Sequence, residues 1–115
     1  MTSLLARAVL IVSALLLSIV SSDTALAQDR HDRRMYIVNE SNSAVVYFHA
    51  TNKGVKNWGR DLLGQGVIRP GQRWLFNFND GTGYCTFDFR AVLENGRAVE
   101  RYGINACREV SWHVR

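Results

Sequence analysis

Beyond residue 35 most of the chain alternates apolar and polar residues with a period of two, the pattern of strands with one core face. The clearest run is Tyr84 to Cys107. Its first half puts Cys85, Phe87, Phe89, Ala91 and Leu93 on one face and Thr86, Asp88, Arg90 and Val92 on the other. Asn95-Gly96 comes next, a pair that tolerates the positive φ of a type I′ turn, so the run reads as a hairpin with a cysteine near each open end. Upstream, Met35 to Val38 and Ala44 to Ala50 are strands rich in β-branched and aromatic residues. The turn cluster Asn39 to Ser43, whose short polar side chains bond their own backbone, joins them into an expected first hairpin.

Arg73 to Asn79 is a further strand, with Trp74, Phe76 and Phe78 on one face. Pro70-Gly71 leads into it with the chemistry of a type II turn, and Asp80-Gly81-Thr82-Gly83 leads out. A last strand carries Val110, Trp112 and Val114 on one face. Only Arg60 to Leu63 offers a helical turn, with Gly64 placed to stop it. The pattern predicts an all-β fold: a small antiparallel β-sandwich or partly open barrel of about six strands.

The N-terminus breaks this pattern. Arg7, the apolar run Ala8 to Val20 and the small-x-small tripeptide Ala25-Leu26-Ala27 read as a signal peptide over residues 1–27. The run is shorter than the roughly 20 residues that span a bilayer, so no stable membrane anchor is expected after cleavage. The mature chain would begin at Gln28, with a disordered lead-in over 28–34 and a single β domain over 35–115. Its expected location is the periplasm or the medium.

Export changes the meaning of the two cysteines. Cys85 and Cys107 are not spaced as C-x-x-C, and in an oxidising compartment they are expected to form a structural disulfide. That disulfide conflicts with a regular hairpin. A two-residue turn at Asn95-Gly96 pairs Phe87 with Ile104 and Cys85 with Ala106, leaving Cys107 on the opposite face. A one-residue bulge at or just after Gly103 would bring Cys107 opposite Cys85. The alternative is that the chain leaves the hairpin near Gly103 and Cys107 belongs to the next strand.

The charge of +4 is arginine-heavy, with twelve arginines against two lysines. The arginines are scattered, which together with export argues against nucleic acid and for weak attraction to anionic envelope surfaces. Asn77, Asn79, Asp80 and Thr82 are oxygen donors in a glycine-bearing turn, but one carboxylate does not make a calcium loop, and turn chemistry accounts for them. Neither a metal nor a cofactor is expected. His49 reads as a packing or surface residue.

The set W-G-x-D-L-L-G (Trp58 to Gly64), P-G-Q (Pro70 to Gln72), C-x-x-D-x-R (Cys85 to Arg90), Asn95-Gly96 and Cys107 resembles a group of small exported bacterial proteins of uncharacterised function. The resemblance covers roughly residues 36–108. It implies an exported β domain and supplies no activity.

The binding candidates are Trp58, Arg60, Asp61, Asp88 and Arg90. Trp58 lies in an irregular loop, where it either is exposed to stack on a sugar or partner, or plugs the end of the sheet beside Leu62 and Leu63. Asp88 and Arg90 share a strand face, with Arg101 expected beside them, and either grip a polar ligand or form an ion pair. No catalytic residue is assigned, since G-x-S-x-G, H-E-x-x-H and cleft-forming carboxylate pairs are absent. The function expected is a small exported β module that binds a protein partner or an envelope glycan. The competing reading is a small secreted hydrolase or lyase with an unrecognised site. Its mark would be His49 or His113 in a pocket with Asp61, Asp80 or Asp88.

Overall fold

A computed structural model describes residues 29–115, so the expected signal peptide lies outside the described residues. His31 to Arg115 form one compact unit of six strands with no helix among the described residues. The strands are β1 (Arg34–Asn39), β2 (Val45–Asn52), β3 (Arg73–Asn77), β4 (Thr86–Leu93), β5 (Ala98–Asn105) and β6 (Ser111–Val114). They form two three-stranded sheets, ordered β3-β1-β6 and β2-β4-β5. Pairing is antiparallel except between β1 and β6, which run parallel.

The period of two decides which side chains fill the space between the sheets. β4 alternates without a break, with Phe87, Phe89, Ala91 and Leu93 buried and Thr86, Asp88, Arg90 and Val92 half-exposed. From the other sheet come Met35, Ile37, Trp112 and Val114. Phe48 of β2 stands at the centre, with ring contacts to Phe76, Phe78, Phe89 and Trp112 at centroid distances of 5.1, 6.2, 5.4 and 6.4 Å. Rings at such separations and tilts add to what their buried area contributes.

Three expectations need correction. β1 and β2 are not a hairpin: β1 pairs with β3 and β6, and β2 pairs with β4 in the other sheet. The Asn39 side chain braces the turn that carries the chain from one layer to the other. Fully buried, its amide donates to the Ser43 and Ile68 carbonyls at 2.8 Å each, and its oxygen accepts from the Ser41 backbone N–H at 2.9 Å. A turn held this way points the chain out of the β1 plane. Asn39→Ala would remove both amide bonds and the acceptor for the Ser41 N–H, leaving the Ile68 carbonyl with the Val45 N–H and the Ser43 carbonyl with the Ser41 hydroxyl. It is expected to lower the unfolding free energy by about 1–3 kcal/mol in urea titration. A loss of only a few tenths would show that solvent replaces the amide.

Second, order begins inside the segment read as a lead-in. Arg34 opens β1, and Arg33 is buried, its guanidinium donating to the Tyr84 and Gly83 carbonyls at 2.7 and 2.9 Å. Third, Val110 is exposed and precedes β6.

The β4–β5 hairpin has the bulge, though for a different reason. Val92 faces Ala98 and Phe89 faces Arg101, so the loop is the three residues Glu94-Asn95-Gly96, with the Arg97 carbonyl accepting from the Leu93 N–H at 2.8 Å. Gly96 takes the positive φ of 90° that such a loop needs. Between Phe89 and Phe87 the register shifts by one, and Asp88 faces both Tyr102 and Gly103, where φ is 71°. The Asp88 carboxylate accepts from the bulged Gly103 N–H at 2.9 Å. The bulge therefore cancels the extra loop residue, and Phe87 meets Ile104 after all.

Cys85 remains opposite Ala106, whose N–H donates to the Cys85 carbonyl at 2.8 Å. The Cys85–Cys107 disulfide forms nonetheless, with the Cα atoms 5.3 Å apart, because Cys107 lies in a turn just past β5. Asn105 shapes that turn: its side-chain oxygen accepts from the Cys107 N–H at 3.0 Å and its carbonyl from the Glu109 N–H at 2.9 Å. The expected disulfide is present. Cys107 sits beyond the hairpin, as the alternative has it, but in the turn before β6 and not in a strand.

Candidate functional site

Burying one face of β2, β4 and β5 leaves the other open. Cross-strand pairing arranges that face in rows: Tyr47–Val92–Ala98, then His49–Arg90–Glu100, then Thr51–Asp88 with the Tyr102–Gly103 bulge. The loop from residue 53 to 61 passes over the third row and carries Trp58.

Both ends of that loop are fixed. At the start, the Asn52 side-chain oxygen accepts from the Gly54 N–H at 2.8 Å while its amide donates to Asp80 at 2.7 Å. Asp80 is held below the usual carboxylate range despite partial burial, because Thr82 and Asn52 hydrogen-bond its charged form. At the far end, one Asp61 oxygen accepts from the Phe48 N–H at 2.9 Å and from the Leu63 N–H at 3.0 Å. The Leu62 N–H donates to the Phe48 carbonyl at 2.7 Å.

Trp58 is half-buried and lies outside the core, so it does not plug the sheet end. Its ring is 6.0 Å from that of Tyr102, tilted by 45°, and the Arg90 guanidinium carbon is 6.0 Å from its centroid. Arg90 pairs with Glu100 at 3.6 Å, and the Tyr102 hydroxyl donates to the same carboxylate at 2.8 Å. That hydrogen bond to Glu100, with a little desolvation, raises the Tyr102 phenol above its ordinary value.

The five binding candidates therefore separate. Trp58, Asp88 and Arg90 come together on the open face. Asp61 is a loop anchor, and Arg60 is exposed beyond it, its carbonyl oxygen 3.1 Å from His49 Nδ1. Arg101 points elsewhere, to Glu109 at 2.9 Å, and Arg90 finds its carboxylate in Glu100. Two hollows meet at Trp58. One, of about 320 Å³, is lined by Lys56, Asn57, Asp88 and Tyr102. The other, of about 280 Å³, is lined by Asn52, Arg60, Leu62 and Asp80, and both share Thr51, Val55 and Trp58. Tyr102 is not among the sequence candidates: a two-residue turn at Asn95-Gly96 would set it opposite the inward Phe89, and only the three-residue loop and the bulge place it beside Asp88.

Other polar groups on the surface have structural partners. Asn77, Asn79 and Asp80 oxygens accept from the Asn79, Gly81 and Thr82 backbone N–H groups at 3.0–3.1 Å, which is turn chemistry. His31 and the two cysteine sulfurs lie within 4.8 Å of one another, but the sulfurs are bonded together and offer no thiolate. Neither His49 nor His113 is paired with Asp61, Asp80 or Asp88; His113 bonds Glu40 and Ser111 instead. No family model matches the chain, and no curated protein or solved structure matches it.

Proposed function

We propose that this chain is an exported β module that binds an envelope glycan across the Trp58 face. The observation that carries the reading is the pair of hollows meeting at one tryptophan ring, with Tyr102 beside it. A sugar ring presents an apolar C–H face and a rim of hydroxyls. Trp58 and Tyr102 suit the former; Asp88, Asn57 and Lys56 on one side and Asn52, Asp80 and Arg60 on the other suit the latter. Two adjoining hollows fit a chain of linked rings better than a single sugar. The disulfide supports passage through an oxidising compartment, in keeping with the leader over residues 1–27.

Cosedimentation with purified peptidoglycan sacculi tests the reading. The full chain is expected to pellet, and Trp58→Ala to weaken retention about thirtyfold, the loss of a roughly 2 kcal/mol anchor. Because Trp58 lies outside the core, the same change should cost only about 1 kcal/mol of stability. Undiminished binding by Trp58→Ala overturns the assignment. Failure to pellet, together with Trp58-dependent capture of one periplasmic protein, replaces the glycan with a protein partner. Exposed Tyr47 and Tyr102 on this face favour that second reading, since tyrosine is enriched at interfaces.

A further inference from the structure

The opposite sheet, β3-β1-β6, has its own open face, and it carries a different chemistry. Trp112 and Val114 point inward, so Ser111 and His113 point outward side by side. Ser111 Oγ lies 3.1 Å from His113 Nε2. The other ring nitrogen, Nδ1, bonds Glu40 Oε1, and the second Glu40 oxygen accepts from Arg115 Nε at 2.7 Å. A hydroxyl on one imidazole nitrogen and a carboxylate on the other is the arrangement that activates a serine. The carboxylate fixes the tautomer: Nδ1 carries the proton, and Nε2 is left to accept from the hydroxyl.

A second observation lies next to it. Tyr36 pairs directly with Ser111 on one side and Leu75 on the other. Tyr36, Leu75 and Val110 line an open groove of about 290 Å³, with Asp32 and Arg34 at its rim. Leu75 and Val110 are 51% and 73% exposed, an apolar strip that the fold itself does not use. Arg73 brings a positive charge to the same face, its guanidinium 4.2 Å above the Tyr36 ring.

We propose that Ser111, with His113 as its base and Glu40 orienting the imidazole, is an acyl-transfer nucleophile that cleaves short-chain acyl esters seated along Tyr36, Leu75 and Val110. Ser111 Oγ attacks the ester carbonyl carbon as its proton passes to His113 Nε2, and the carbonyl oxygen takes the negative charge on the Arg73 side. Collapse breaks the bond to the alkoxide, which leaves with the proton from the imidazolium. Water then attacks the acyl-serine, giving its proton to the same nitrogen, and the carboxylic acid departs as the serine recovers its own. Hydrogen bonds from Arg115 and then His113 hold the Glu40 carboxyl below the usual range, so it stays ionised beside the ring. An ester suits this face better than an amide: the site is open to water, and an alkoxide leaves more readily than an amine.

The site is independent of the glycan face and is tested on the full-length chain with a fluorophosphonate probe and with p-nitrophenyl butyrate. Phosphonylation should displace fluoride and mark Ser111 alone, as read by peptide mass. Ser111→Ala should abolish the mark, and both it and His113→Gln should lower ester turnover at least about a hundredfold at unchanged melting temperature. The parent labelling decides the matter even where a variant folds poorly. Absence of label, label on another residue, or turnover in Ser111→Ala close to that of the parent would each overturn the proposal.

Discussion

Replacing Phe48 by alanine is expected to lower the unfolding free energy by about 3–5 kcal/mol, the range for removing a buried aromatic ring. Phe48 is fully buried, and its ring touches Phe89 within its own sheet and Phe76 and Trp112 from the facing one. It is therefore the side chain on which both layers close. The surrounding rings are themselves packed, so the vacated space cannot collapse without moving one of them. A domain of this size has about 5–15 kcal/mol in total, so the variant should be largely unfolded well below the parent melting temperature. Urea titration at 25 °C followed by tryptophan fluorescence measures it. A loss under about 1.5 kcal/mol would mean that the layers slide together to fill the gap.

Removing the disulfide has the next largest expected effect. The cysteines are 22 residues apart, and joining chain points at that separation restricts the unfolded ensemble by about 3 kcal/mol. Cys85→Ser with Cys107→Ser should show that loss, as should the parent in strong reductant, since both cysteines are only half-buried. The effect should concentrate in β5. That strand ends a sheet, exposes most of its residues and carries the bulge, so it is held by β4, the disulfide and the Glu109 contacts to Arg101 and Asn105. Amide exchange in β5 should therefore accelerate more than in β4. Equal acceleration in both would show that the crosslink acts on the whole unit.

Both effects are visible in outline along the chain, and only the fold gives them a place. The alternation in TFDFRAVL singles out Phe87, Phe89, Ala91 and Leu93 as inward, and all four are buried. The same alternation sets Trp74 on the inner face beside Phe76, and both pack partly buried against the core. The cysteine pairing comes from number and context, and the bulge from glycine at position 103.

The candidate sites are far less legible. Asp88 and Arg90 share a strand face, but Trp58 stands far from them in the chain, and nothing in the sequence says that the loop after β2 folds across the third row of the sheet. Ser111 and His113 are two apart on a strand, a visible spacing. Glu40, more than seventy positions away, joins them only because β6 lies parallel to β1.

Side-chain chemistry and local periodicity thus determined where most of the strands lie, the buried face of β4, the inner residues of β3 and β6 with the exception of Val110, and that Cys85 and Cys107 are joined. Tertiary structure decided which strands are neighbours, the register of β4 on β5, and what gathers on the two open faces. The physical reason is that a period of two specifies a face without specifying a partner. Any two strands with an apolar face can share a core, and the crossover from β1 to β2 is braced by the buried Asn39 amide, one of whose partners, the Ile68 carbonyl, comes from far along the chain. Register likewise depended on two compensating irregularities, a three-residue loop and a one-residue bulge, each permitted by its glycine, with the bulge bonded by Asp88 and both Phe87 and Phe89 kept in the core.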